Sequence, residues 1–331
     1  MIFLLFFFLT SQIIPISTRL NIVGRDFLAL LPDSETDHFF NPANTFFLNK
    51  IFLFSLSSYH NYLFLNENSP ISFQTLLNVK IGQENYFLNI AYHYLFSDEK
   101  RDKKFIFFNY HNLPFSIGYN FGETKIGLGI SYQRFYFKKT DTSKQNFIEK
   151  RRYLPFKIGF LKGEEEKFEI ITEFIPFDSN NFSGYQFNFA IKKIFGETNN
   201  HIFLLATNYQ KENIRKNWQF ISGYCLSSPY NFYGFIFNNF FSIKPIIFIN
   251  EKEHLKMKII FPYGITCSFG KMKFLFGLKK ELIFDKENIY SSDYEYNFGL
   301  DYRLSDNFEF YLFNLLVNNF RKWFFGFKIS F

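Results

Sequence analysis

A chain of 331 residues with 54 phenylalanines and 21 tyrosines carries far more aromatic side chain than a soluble core of that length needs. Its net charge of +7 is scattered rather than gathered on one basic face, which argues against a nucleic-acid partner and suits, at most, a surface near anionic lipid head groups. Cys225 and Cys267 show no Cys-x-x-Cys spacing, so they form no disulfide framework and read as two buried free thiols.

Residues 1–17 (MIFLLFFFLTSQIIPIS) are apolar and uncharged. A bilayer-spanning helix needs about 20 apolar residues, so this stretch reads as a signal peptide that is removed on export. Residues 18–48 lack strand alternation. Gly24 to Leu30 has weak helical spacing, an acidic turn follows at Pro32 to Asp37, and Phe39-Phe40-Asn41-Pro42-Ala43-Asn44 closes the segment. Asn-Pro favours a turn, and a non-strand segment of this length ahead of a barrel has the lumen as its natural place.

From residue 49 to 331 the chain alternates. Tyr86, Leu88, Ile90, Tyr92, Tyr94 and Phe96 share one face. Ile126, Leu128, Ile130 and Tyr132 oppose Gly127, Gly129, Ser131 and Gln133. Tyr185 to Ile191 repeats the pattern, and Tyr294, Tyr296, Phe298, Leu300 and Tyr302 oppose Glu295, Asn297, Gly299, Asp301 and Arg303. Period-2 alternation is a strand signal. One face this uniformly aromatic, against another that mixes glycine with charges, fits strands touching lipid outside and a polar lumen inside. Only a closed sheet satisfies its backbone in hydrocarbon. The expected fold class is all-β, a transmembrane antiparallel β-barrel of 14–16 strands with an N-terminal plug.

The connections also take sides. Gly82-Gln83-Glu84, Gly122-Glu123, Gly163-Glu164-Glu165, Gly196-Glu197-Thr198, Gly270 and Ser305-Asp306 read as tight turns on one rim. Asn61 to Ser69, Ser97 to Lys104, Lys139 to Lys150 and Asp285 to Asp293 read as longer loops on the other. This parity requires Tyr230 to Asn250 to be one strand bent at Pro245. The final strand, RKWFFGFKISF, puts Trp323, Phe325, Phe327, Ile329 and Phe331 on its apolar face. It resembles the closing strand of bacterial outer-membrane barrels, whose terminal aromatic residue is the signal read by the barrel assembly machinery.

The run GRDFLALLPDSETDHFFNPANTFFLNKIFLFSLSSY resembles the amino-terminal hatch of the FadL-like outer-membrane transport superfamily, which includes the long-chain fatty-acid channel and PorV/PorQ-type barrels of secretion systems. The match rests on Gly24, Asp33, Asp37 and Asn41-Pro42-Ala43 ahead of a strand near Ile51. It implies a bacterial outer-membrane location, passive transport of a hydrophobic small molecule, and a ligand gate at Phe39, Phe40, Asn41, Pro42, Ala43 and Asn44. The alternatives are a PorV/PorQ-like barrel serving protein secretion and a general porin or structural barrel.

No nucleophile motif, phosphate loop or dinucleotide fingerprint is present, and the six histidines lack ligand spacing. Neither catalysis, a metal nor a cofactor is expected. The expected partners are membrane lipid and the assembly machinery. His93 and His111 fall on strands as lumen or interface residues, and Glu169, Glu173, Asp301 and Arg303 read as lumen charges that tune permeation or pair across the lumen.

Overall fold

The computed structural model describes residues 37–48, 51–60, 71–101, 104–140, 146–179, 183–213, 215–250, 255–285, 288–317 and 320–331. The expected signal and the segment up to residue 36 lie outside the described residues. Eighteen segments join in one sheet, and they make sixteen antiparallel strands. The first eight are β1 (Phe52–His60), β2 (Ile71–Gly82), β3 (Tyr86–Arg101), β4 (Lys104–Phe121), β5 (Thr124–Thr140), β6 (Asn146–Tyr153 with Phe156–Lys162), β7 (Lys167–Ser179) and β8 (Ser183–Phe195). The others are β9 (Asn200–Glu212), β10 (Arg215–Phe232), β11 (Phe235–Asn250), β12 (Leu255–Phe269), β13 (Met272–Asp285), β14 (Asn288–Ser291 with Glu295–Ser305), β15 (Phe308–Val317) and β16 (Phe320–Ser330). β6 keeps its register on both sides of a gap at Leu154-Pro155. Pro155 lies in that gap and Pro176 faces Leu154, whose N–H donates to the Pro176 carbonyl at 3.0 Å; neither proline has an N–H to give the ladder.

The sheet closes on itself. β1 pairs with β16 from Leu53 opposite Ser330 to His60 opposite Trp323, and with β2 on its other side. Phe331 extends this seam: its N–H donates to the Phe52 carbonyl at 2.9 Å, and its own carbonyl accepts from the Phe52 N–H at 3.1 Å. Closure leaves no unpaired edge, which is what a sheet in hydrocarbon requires.

Side chains sort by parity as the alternation predicts. On β14 Tyr296, Phe298 and Tyr302 are exposed on the outer wall, while Asn297, Gly299 and Asp301 are buried inside. On β5 Leu128, Ile130 and Tyr132 face out, and Gly127, Ser131 and Gln133 face in. Tyr92, Tyr94 and His111 group on the outer wall, the Tyr92 hydroxyl 2.7 Å from His111 Nδ1. His93, on the opposite parity, is fully buried against Tyr110.

Four expectations need correction. The lumen face is not polar throughout: Ile194, Ile202, Leu204, Ile221, Phe240, Ile246 and Ile260 point inward from β8 to β12 and form one apolar cluster. The stretch Tyr230 to Asn250 is not one strand, because Tyr233-Gly234 turns the chain between β10 and β11. Gly234 thereby joins the glycine turns of the short rim, at φ +81°. Pro245 interrupts the ladder to β10 without ending β11, and it stays paired with Ile259 of β12. The stretches 97–104, 139–150 and 285–293 are mostly strand, since β3 runs to Arg101, β5 to Thr140 and β6 starts at Asn146. Finally, only Cys225 is buried; Cys267 is half-buried on the outward parity of β12.

Candidate functional site

The register of β3 to β10 stacks the inner wall in levels. One level reads Phe87, Gly118, Gly127, Gly159, Ile171, Ala190, Ala206 and Ile221, each directly opposite the next. Three successive glycines leave a shallow trough in that wall. Phe87 fills the space over Gly118, and Asn41-Pro42-Ala43 fills the space over the other two. A Cβ on Gly127 would fall 2.5 Å from the Ala43 nitrogen, and one on Gly159 would collide with the Asn41 amide.

The segment in the trough is short and heavily anchored. α1 (Asp37–Phe40) leads into a 3-10 turn, Pro42–Phe47. Asn41 caps that turn, its Oδ1 accepting from the Ala43 N–H at 3.0 Å, and Pro42 takes the first position, where a missing N–H costs nothing. One buried carboxylate holds the motif: Glu169 accepts from Asn41 Nδ2 and from Asn44 Nδ2, both at 3.0 Å, with Lys192 at 3.8 Å. Two lysines secure the ends of the segment. Lys157 donates to the Phe39 carbonyl at 2.6 Å, and Lys80 donates to the Leu48 carbonyl at 2.8 Å. The Phe47 ring lies 3.8 Å from Lys167 Nζ and 5.3 Å from Lys125 Nζ, a cation–π contact on two sides. Phe39 packs with Leu53, Leu76 and Ala91, and Phe46 meets Phe87 edge-on at 4.8 Å.

The next level, toward the opposite rim, is polar: Asn89, Ser116, Gly129, Lys157, Glu173, Asn188, Asn208 and Gln219 stand in register. Lys157 pairs with Glu173 at 2.9 Å, and Glu173 accepts from Asn188 Nδ2 at 2.7 Å. Between this belt and the 37–48 segment lies a cavity of about 160 Å³. Its apolar side is Phe39, Phe40, Ile171, Ala190, Ala206 and Ile221. Its polar side holds buried acceptors with no partner among the described residues, namely Asn89 Oδ1, Asn112 Oδ1 and Gln133 Oε1. Farther along the wall an inner aromatic cluster, Tyr110, Phe135, Tyr153, Ile175 and Phe177, stands between the cavity and the far rim.

His38 also borders the cavity. Burial above all, then the charges of Lys157 and Lys80, lower its pKa from 6.5 to about 3, so its ring is neutral. Its polar neighbour is the Asn78 side chain, which opposes part of that lowering.

The six sequence-selected residues from Phe39 to Asn44 therefore sit together on the inner wall. Glu169 and Glu173 join them there, whereas Asp301 lies buried on distant β14 and Arg303 is exposed near the short rim. Sequence reading missed Gly127, Gly159, Lys157, Lys80 and Asn188, which only strand register brings to the same place. Trp323, Phe325, Phe327 and Ile329 lie along the closing strand, and the Phe331 ring is 60% exposed beyond it.

No family model and no curated protein matches the chain. Among solved structures it is similar to CdiB from Acinetobacter baumannii, at a TM-score of 0.59 and 10% identity, covering 85% of this chain and 60% of that one. The chain thus spans about 60% of the length of CdiB. The CymD monoaromatic hydrocarbon channel overlaps at a TM-score of 0.47 with 10% identity, over 88% of this chain and 92% of that one. A loop-deleted OmpT of Vibrio cholerae overlaps at 0.44 with 7% identity, over 85% and 98%. CdiB shares the barrel fold; the other two overlap too loosely to add to that. With its closed sheet and largely aromatic and aliphatic outer wall, the chain is a bacterial outer-membrane β-barrel.

Proposed function

We propose that this barrel passes compact hydrophobic molecules across the outer membrane, with residues 37–48 as the gate. The observation that carries this reading is the cavity beside Phe39 and Phe40, apolar on the side of Ile171, Ala190, Ala206 and Ile221. At about 160 Å³ it matches a dry apolar cavity of roughly 150 Å³ that holds a single aromatic ring. A long acyl chain exceeds that space unless the gate moves. The unpartnered carbonyl oxygens of Asn89, Asn112 and Gln133 favour a ligand that carries a hydroxyl or amine to donate to them. The inner aromatic cluster of Tyr110, Phe135, Tyr153 and Phe177 offers a greasy approach from the far rim. The resemblance of the Asn41-Pro42-Ala43 region to the FadL-like hatch supports the same direction.

In this mechanism the ligand descends past the aromatic cluster and settles against Phe39 and Phe40. It leaves when the Asn41–Asn44 turn lifts from Glu169. The test is uptake of a tritiated single-ring phenol into liposomes carrying the full chain, beside planar-bilayer conductance. Deleting residues 19–44 should raise ion conductance several-fold and remove saturation of phenol uptake. Unchanged conductance and uptake after that deletion would sink the gate. A wild-type barrel with large, steady ionic conductance would favour a general porin instead.

A further inference from the structure

The outward rows of β5 and β6 change from apolar to cationic toward the far rim. β5 presents Ile126, Leu128, Ile130 and Tyr132 outward, then Arg134; β6 presents Ile158, Phe156 and Leu154, then Arg152 and Lys150. A barrel strand crosses hydrocarbon in about 9–11 residues. Counted from Thr124 at the glycine-turn rim, Arg134 therefore falls at the far boundary between hydrocarbon and head groups. Short turns mark the inner side of such barrels, so that boundary belongs to the outer leaflet.

Arg134 and Arg152 stand directly opposite one another in the ladder, and both are exposed. Like charges so placed repel and weaken the strand pair. Lys150 is the next outward residue on β6, its Nζ 5.9 Å from the Tyr136 ring centre. Asp178 faces Arg152 in register from β7, yet no carboxylate forms an ion pair with Arg134, Lys150 or Arg152 among the described residues. A crevice of about 180 Å³ opens among Arg134, Lys150, Arg152 and Asp178. Three unmatched cations at head-group height, with apolar wall directly below them, form an anion site continuous with a lipid-facing surface.

We propose that this crevice docks a phosphate of an outer-leaflet glycolipid. The Arg134 and Arg152 guanidiniums take the phosphate oxygens through charge-assisted hydrogen bonds, and Lys150 adds a point charge. The acyl chains of the same lipid lie along Leu154, Phe156 and Ile158, which is why a membrane lipid fits better here than free phosphate. The anion relieves the repulsion between the two arginines and so tightens the β5–β6 pair. The inference rests on the outer-membrane reading but not on the proposed cargo or gate.

The test is native mass spectrometry of the full-length barrel released from detergent. The probes are bis-phosphorylated lipid A, the same lipid after phosphatase treatment, phosphatidylglycerol and inorganic phosphate. Wild-type protein should retain lipid A, and the Arg134→Gln/Arg152→Gln variant should bind it about thirtyfold more weakly, as the loss of two interfacial cations implies. Phosphatase treatment should weaken retention by a similar factor, and Lys271→Gln at the glycine-turn rim should leave it unchanged. Heat-modifiable gel mobility reports whether each variant has folded. If the double variant does not fold, the phosphatase comparison on wild-type protein decides alone. Equal retention of the treated and untreated lipid overturns the proposal. So does retention of phosphatidylglycerol or free phosphate as strong as that of lipid A.

Discussion

Gly127 and Gly159 stand opposite each other on β5 and β6, and both give up a side chain so that Asn41-Pro42-Ala43 can approach the backbone. Elsewhere on the inner wall the same vacancy is filled by an aromatic ring from the opposite residue: Phe87 over Gly118, Phe240 over Gly264, Phe313 over Gly299 and Tyr311 over Gly326. Cross-strand pairs of this kind stabilise a sheet and cover glycine backbone. The trough at Gly127 and Gly159 is the place where residues from outside the sheet play that part. Gly159→Leu should therefore expel the turn without unfolding the barrel, and it should raise single-channel conductance as the 19–44 deletion does. Wild-type conductance in a folded Gly159→Leu protein would show that the trough does not hold the gate. Glu169 makes the complementary prediction. Glu169→Ala strips the Asn41 and Asn44 amides of their acceptor and removes the carboxylate that lies 3.8 Å from Lys192. Removing one partner from such a buried set costs about 3 kcal/mol, roughly a hundredfold in the docking equilibrium. Hydrogen exchange at residues 43–48 should quicken by that order while exchange in β5 and β7 stays slow. Glu169→Gln, which keeps one acceptor oxygen, should fall between.

The segment Asp37–Phe47 is too short to be stable as a free helix, so its shape depends on what it packs against. His38 makes that dependence titratable. Docked, its pKa is about 3; released into water it returns toward 6.5. The released state therefore binds the proton more readily, and docking weakens progressively as pH falls from 6.5 toward 3. Open probability in planar bilayers should rise across that window, and His38→Leu should flatten the curve; an unchanged slope in the variant would exclude His38 as the titrating group. Part of this architecture was legible in the sequence. The Asn-Pro step announced a turn, and Tyr294 to Tyr302 announced a strand, because each signal lies within a few neighbouring residues. The turn at Tyr233-Gly234 escaped because Tyr230-Asn231-Phe232-Tyr233-Gly234-Phe235 reads as an aromatic strand with one glycine in it. The inward apolar cluster escaped for another reason. Ile202 and Leu204 sit beside outward Phe203 and Leu205, so no alternation shows which face is wet. The trough, the polar belt and the Arg134–Arg152 opposition are register properties, and register joins residues 9 to 32 positions apart that no local pattern links.

The barrel as a whole turns its aromatic side chains toward its surroundings and keeps its polar network inside, the reverse of a soluble protein. Phe298, Phe203, Leu205, Leu128 and Ile158 are each 45% or more exposed. Buried inside are Glu169, Glu173, Lys192, Lys244 and Asp301. In water such an outer wall would aggregate; in hydrocarbon it is matched to its solvent, and the inner charges stay paired or bonded. Depth should then govern the cost of placing a charge on that wall. Phe298 lies midway along the outward row from Tyr294 to Tyr302, between the two interfacial tyrosine levels. Phe298→Arg should cost about 2–4 kcal/mol in bilayer unfolding titrations and Tyr302→Arg about 0–1 kcal/mol, because only the first places its charge at the midplane. The gap between them should widen in vesicles of thicker lipid, where Phe298 sits deeper, and shrink in short-chain detergent, where no midplane exists. Equal and small costs for both substitutions would mean that this wall meets water or another protein, and the membrane assignment would fall with them.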